Sequence, residues 1–354
     1  MQFLIGGKKL RKRIYGIDIA KIVACMQVVW LHTSMRYFTG NYQLSSSIDR
    51  EILRILYIMS GVAIPVFFMA NGYFILNKKE LTISYVWKKT CNILVVILGW
   101  LLMYSILNYL KDRDFLFFKY ALGTVIPGIP NVSTFIHLWF FWTLIILLWF
   151  AIYINKILHR NIKLYAEIIL LLFFICIIVN ILSYINEAPI DKHIYQPFRI
   201  YQWLMYYMLG GYVGYFKDRI FSYYRIHRNK VILLTLTSYA TFGVVIFFTQ
   251  TIMGTLFIEY SYGNILCIVS SLLLYILFLC HNYKSITKSI SEKIIPLTMG
   301  IYIVHPIIIK HVVYVVAVKN IYQVLAMYII VLFVSICMTY IVRKMPILSK
   351  LVKI

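Results

Sequence analysis

The chain has 354 residues, 62% of them apolar, with a mean hydropathy of +0.82 and a formal charge of +23. Soluble domains are about 45 to 50% apolar, so this composition excludes an ordinary soluble fold and makes the lipid bilayer the solvent for most of the chain. The charge does not point to nucleic acid, because Lys and Arg sit in short clusters between apolar runs and form no continuous face or stripe.

Apolar runs of roughly 17 to 25 residues, the length that crosses the hydrocarbon core, recur from end to end. Breaks at charged and Pro/Gly clusters predict ten spans, over 15–37, 52–76, 90–110, 136–155, 165–185, 200–216, 230–250, 262–281, 294–316 and 321–342. The expected fold is all-α: a polytopic membrane helix bundle forming one domain over 1–354, with no appended soluble domain. KKLRKR at the start resembles the basic flank of a signal peptide. The apolar run after it is too long and lacks a small-residue cleavage pattern, so it reads as a retained first helix.

An even number of spans puts both termini on one side. The clusters at 8–13, Lys78 and Lys79, Lys88 and Lys89, 156–163, 217–230, 284–293 and 343–353 then share that side, which the positive-inside rule makes cytoplasmic. A multi-pass protein of the bacterial cytoplasmic (inner) membrane is expected. The loops on the other side, 111–135 and 184–199, carry mixed charge, turn formers and aromatic residues. Such loops suit a polar acceptor at the surface, and equally suit simple connections. The six cysteines lie in or beside apolar runs without metal or disulfide spacing, so free thiols and no metal site are expected.

The first span, RIYGIDIAKIVACMQVVWLHTSMRYF, holds Asp18, Lys21 and His32. Ionisable groups in a membrane helix cost about 2.5 to 3.5 kcal/mol each at its centre, so each is a functional candidate. At 100° per residue Lys21 and His32 lie about 20° apart around the axis and Asp18 about 40° from His32, so all three share a face. Eleven residues separate Lys21 from His32 by roughly 16 Å, so they mark a path and do not touch. Asp18 is within reach of Lys21 at i+3. The same residues also fit a snorkelling Asp18–Lys21 pair and an interfacial His32 beside Trp30.

A basic residue, ten further residues and then His in the first helix of a ten-helix protein resembles the membrane acyltransferase-3 family. IPVFFMANGYFIL resembles its second-helix pattern, HLWFFW its fourth, YYMLGGYVGY its sixth and GIYIVHP its ninth. The resemblance covers nearly the whole chain, and is nearest in look to the O-acetyltransferases of enterobacterial common antigen and O-antigens. It implies an enzyme that carries acetyl from cytoplasmic acetyl-CoA to a cell-surface or lipid-linked polysaccharide, with Lys21, where Arg is frequent, and His32 as the paired essential residues. The chain departs from the pattern after NGYF, where Asn77, Lys78 and Lys79 stand in place of an expected Arg.

For such a reaction His32 is the natural general base, since imidazole titrates near pH 6.5; an acetyl-histidine relay is the variant scheme. Lys88 and Lys89, with Lys78 and Lys79, offer point charges to the phosphates of the donor, and equally serve as positive-inside residues. Asn71 fits helix bridging or hydrogen bonding to the pantetheine amides. His305, before Pro306, fits a supporting site role or packing. His137 and Arg199, at helix entrances away from the cytoplasm, fit interface anchoring or contact with the glycan or its lipid diphosphate. A transporter or exporter of polysaccharide or lipid-linked sugar is the competing class, since polar residues in Pro-broken spans also mark transport paths. Succinyl or another acyl group in place of acetyl is an alternative within the enzyme class.

Overall fold

The computed structural model describes residues 13–37, 44, 46–126, 129, 133–312 and 318–353. The basic residues Lys8, Lys9, Arg11 and Lys12, the loop positions 127, 128 and 130–132, and the end of the ninth expected span, 313–316, lie outside these. Among the described residues all regular structure is helical, and eight stretches are long and apolar enough to cross a membrane. In chain order these are α1 (Tyr15–Ser34), α2 (Ser47–Met59) continued by α3 (Ala63–Leu76), α4 (Ile83–Asp112), α6 (Trp139–Arg160), α7 (Ile162–Ile185), α9 (Lys217–Ile252), α11 (Ser285–Ile294) continued by α12 (Thr298–Val312), and α13 (Ile321–Lys344). The short α5 (Phe117–Gly123) follows α4.

The expected spans 200–216 and 262–281 become α8 (Ile200–Tyr215) and α10 (Ile265–Cys280), each of 16 residues. At 1.5 Å per residue each is about 24 Å long, short of the hydrocarbon thickness. Both are held by packing on longer helices, α8 on α3 and α10 on α9. The 36-residue α9 exceeds its expected span because it is two helices merged across a break at His227, φ −112° and ψ 26°. The loops also differ from expectation: α5 forms within 111–135, and two 3₁₀ turns, Ile190–His193 and Gln196–Phe198, form within 184–199. All six cysteines are free thiols, four of them buried.

The α2–α3 stretch is the centre of the bundle, 72% buried, whereas α7 is peripheral at 11%. The sequence explains the contrast. AIPVFFMANGYFIL places small residues where backbones must meet, while α7 is Leu, Ile and Phe all round and suits lipid. A Cβ built on Gly72 of α3 would lie 1.8 Å from the Tyr207 carbonyl oxygen of α8, and one on Gly210 of α8 would lie 1.9 Å from the Met69 carbonyl oxygen of α3. The two helices therefore touch backbone to backbone. Side-chain amides finish the joint: Asn77 Nδ2 donates to the Gly211 carbonyl at 2.9 Å, and Asn155 Nδ2 from α6 donates to the carbonyls of Leu76 and Lys78 at 2.7 and 2.9 Å. These carbonyls at the end of α3 have no partner within the helix, and the amide satisfies them away from water. At the C-terminal end a 3₁₀ turn, Leu348–Val352, packs against α4, where Trp100 Nε1 donates to the Leu351 carbonyl at 2.8 Å.

Candidate active site

Three histidines from distant parts of the chain meet inside the bundle. His32 comes from α1, His137 from the 3₁₀ turn that leads into α6, and His305 from α12. Their ring centroids are 5.1 Å apart for His32 and His305, 5.4 Å for His137 and His305, and 6.3 Å for His32 and His137. His137 and His305 are buried while His32 stays partly exposed. Tyr302, one turn before His305, donates its hydroxyl to the His137 carbonyl at 2.5 Å and fixes α12 to the start of α6.

The orientation of His305 is defined by its own helix. Pro306 has no N–H, so it leaves the Tyr302 carbonyl without its helical partner, and that carbonyl lies beside the His305 ring. Nδ1 sits 3.1 Å from the Ile301 carbonyl oxygen. A carbonyl only accepts, so Nδ1 carries the proton, and in the neutral ring Nε2 is an acceptor. Nε2 is buried and has no hydrogen-bond partner among the described residues. The backbone of Thr134 and Ile303 lies beside the His137 ring, but neither ring nitrogen is in hydrogen-bonding geometry.

A stripe leads from this cluster to the basic end of the bundle. In α3 every residue is buried except Phe67, Asn71 and Phe74, which recur at spacings of four and three and so line one face; Lys78 continues it past the helix end. Phe67 lies 6.4 Å from the Tyr302 ring, beside the histidines. Lys21 Nζ stands 5.1 Å from the Phe74 ring centroid, and Lys89 of α4 is near enough to repel it. The shared face of α1 thus faces a polar and aromatic track with cations at one end and imidazoles at the other.

The other expected residues fall differently. Asp18 does not pair with Lys21; it takes Arg13 Nε at 2.5 Å, because Arg13 reaches it across the unwound start of α1. Asn71 bridges no helices; its Nδ2 donates to the Phe67 carbonyl of its own helix at 2.9 Å, which leaves its carbonyl oxygen on the stripe. Lys79 and Lys88 are exposed, whereas Lys89 is partly buried and Lys78 lies over the Tyr85 ring. His137 is no interface anchor, being buried in the cluster. Arg199 is not free to meet an acceptor: its guanidinium donates to the carbonyls of Ile194, Glu259 and Asp191 at 3.0, 2.8 and 2.8 Å and clamps two loops. Asp191, held there with Tyr201, has its carboxyl pushed up by burial, against the opposing pull of Arg199.

The structure adds Arg36 to the candidate site. It follows His32 by one turn on the same side of the chain, is partly exposed, and sets a positive charge beside the His32 ring. Its position in sequence, i+4 from a candidate base, was the available signal. Tyr302 and Phe67 carried no such signal, since only packing brings them to the histidines. Among the described residues no group of three or more His, Cys, Asp or Glu is arranged to hold a metal ion.

Comparison with known proteins fits this architecture. A family model described as an acyltransferase domain matches residues 14–343, from the start of α1 to the end of α13. The chain belongs to the acyltransferase-3 family. This family member is a multi-pass membrane protein, and the family match covers every helix that lines the site. It is similar to a probable poly-beta-1,6-N-acetyl-D-glucosamine export protein of Staphylococcus epidermidis, 28% identical over 180 residues that make up 47% of each chain. A protein of the same description from Staphylococcus aureus is 25% identical over 246 residues, 66% of this chain and 65% of that one. An amino-acid racemase of Enterococcus faecalis is 29% identical over 135 residues, 37% of this chain and 18% of that one. The match spans about half the length of the first of these relatives. No solved structure matches.

Proposed function

We propose that this acyltransferase moves an acetyl group from cytoplasmic acetyl-CoA to a hydroxyl of a cell-surface or lipid-linked polysaccharide, at the inner membrane of a bacterium. The observation that carries this reading is the stripe from Lys78, Lys89 and Lys21, past Phe74, Asn71 and Phe67, to His32. Cations at the basic end suit the donor's phosphates. A track with one amide carbonyl suits an extended pantetheine arm, whose amide N–H groups can donate to Asn71. The thioester then arrives at the histidines. His32 removes the proton as the sugar hydroxyl oxygen bonds to the thioester carbonyl carbon; the C–S bond breaks, and His32 returns that proton to the departing thiolate. His305, with Nε2 free to accept, receives the N–H of His32 and holds its other nitrogen towards the hydroxyl. Arg36 is the cation available to an anionic acceptor. Acetyl-CoA is a substrate here, and no resident cofactor or metal takes part in the scheme.

The names of the staphylococcal relatives favour a second reading, export of a poly-N-acetylglucosamine type chain, and succinyl remains the alternative acyl group. One experiment separates the classes. Purified protein in lipid vesicles is given radiolabelled acetyl-CoA or succinyl-CoA with polysaccharide from the host, and label in the polysaccharide is counted. Labelled polysaccharide from acetyl-CoA supports the proposal and from succinyl-CoA the variant. No label from either, together with loss of surface polysaccharide in cells lacking the protein, points to export.

Two substitutions probe the scheme. Lys21→Arg should keep most of the activity and Lys21→Ala lose it, because charge and reach are what the site asks of this residue; equal loss in both would show that the ammonium geometry itself matters. His305→Gln retains an acceptor in the ring's place and His305→Leu retains only volume. The Gln variant should be faster by about 5 to 30-fold, the worth of roughly 1 to 2 kcal/mol for one buried hydrogen bond, with KM for acetyl-CoA similar in both. Equal rates would reduce His305 to packing.

A further inference from the structure

A second set of cations, none of them on this track, lines a groove at the basic end of the bundle. Lys293 at the end of α11, Pro296 and Leu297 in the following 3₁₀ turn, and Tyr340, Arg343 and Lys344 in the last turns of α13 line a groove of about 400 Å³. No acid lines it. The neighbouring Glu292 points to the far side of α11, where it accepts from the Tyr15 hydroxyl at 2.6 Å and lies 3.9 Å from Arg13 Nη1. The C-terminal ends of α11 and α13 each carry about half a negative charge here, and the start of α12 at Thr298 about half a positive one. Three full positive charges exceed that, and a net positive groove remains.

The surroundings identify what fills it. On α11, Ile286 and Ile290 are 66% and 50% exposed and stand one turn apart, with Lys284, Lys288 and Lys293 between and beside them. An apolar ridge flanked by lysines is the pattern of a helix lying in the membrane interface. Along α13, Ile330, Phe333, Cys337 and Tyr340 are exposed at spacings of three, four and three, so an apolar stripe runs down the outside of the helix and ends at the groove. A soluble phosphate needs only the cations. A phospholipid needs cations at the headgroup level and an apolar surface leading away from them, and this face has both.

We propose that the groove binds the phosphate headgroup of an anionic phospholipid, with its acyl chains lying along the outer face of α13. Basic recesses between membrane helices on the positively charged side are where such headgroups are held. Its lining shares no residue with the track to His32, and the proposal does not depend on the acyl-transfer reading.

The test uses the full chain, purified in detergent and exchanged into vesicles or nanodiscs. Native mass spectrometry counts retained phosphatidylglycerol against phosphatidylcholine for the wild type, for Lys293→Gln with Lys344→Gln, and for Arg343→Lys. Lys293 and Lys344 are exposed, so their replacement leaves the core intact, and a thermal melt of each variant checks this. Preferential retention of phosphatidylglycerol is expected, weakened about fivefold for each charge removed and unchanged in Arg343→Lys. Inorganic phosphate and coenzyme A at millimolar concentration should fail to displace the lipid. Displacement by either would assign the groove to a soluble phosphate and overturn the lipid assignment, as would equal retention of the two lipids or no effect of the paired substitution.

Discussion

Replacing His32 by alanine should leave the polysaccharide made and exported but lower its O-acetylation by about 10² to 10⁴-fold, the range a positioned general base contributes. The residue sits where the stripe from Lys21 ends, its ring 5.1 Å from that of His305, and it alone of the three histidines is partly exposed. An attacking hydroxyl therefore has access to His32 and to neither neighbour. The measurement is the O-acetyl content of polysaccharide from cells expressing each variant, with the total amount of polysaccharide as control. Unchanged O-acetylation would remove His32 from the chemistry, while loss of the polysaccharide itself would place the protein in export. His32→Gln, which keeps size and polarity but cannot carry the proton, should be as inactive as alanine.

The second large effect is structural. Gly210→Ala places a methyl group where 1.9 Å separates it from the Met69 carbonyl oxygen, and Gly72→Ala meets the Tyr207 carbonyl oxygen at 1.8 Å. Neither contact involves a flexible side chain, so α3 and α8 must move apart. Overpacking of this kind costs about 1 to 3 kcal/mol or more, and separation also stretches the bond from Asn77 to Gly211. Each variant should show a lower unfolding temperature in detergent, and activity should fall with it, because α3 carries Phe67, Asn71 and Phe74. By contrast Gly254, at φ +58° with open space around its Cβ position, is held by backbone conformation and not by packing, and Gly254→Ala should leave the α3–α8 joint intact. Stability equal to wild type in both Gly72→Ala and Gly210→Ala would contradict the close approach.

The sequence by itself determined the solvent of this protein, its all-helical class and the position of its spans, because a bilayer forces the backbone to satisfy its own hydrogen bonds and forces side chains to be apolar over a fixed length. It also determined that Lys21 and His32 share one face of the first helix, since that depends only on helical periodicity. Helix ends were less legible: α10 begins at Ile265 and not at 262 because Asn264 caps it, its side chain accepting from the Leu266 N–H, and apolarity alone carries no sign of that. Pairing was likewise out of reach. Asp18 has Lys21 at i+3 and Arg13 at i−5, and the conformation of residues 13 and 14, which are not helical, gave it to Arg13. Arg199 fits an interface anchor or an acceptor contact by sequence, but its guanidinium donates hydrogen bonds to loop carbonyls 60 and 8 residues away. Only the tertiary structure decided that His32, His137 and His305 form one site. They lie on three separate elements, and their contacts arise from packing across 165 residues, as between His137 and Tyr302, a distance over which no local pattern in the chain carries a signal.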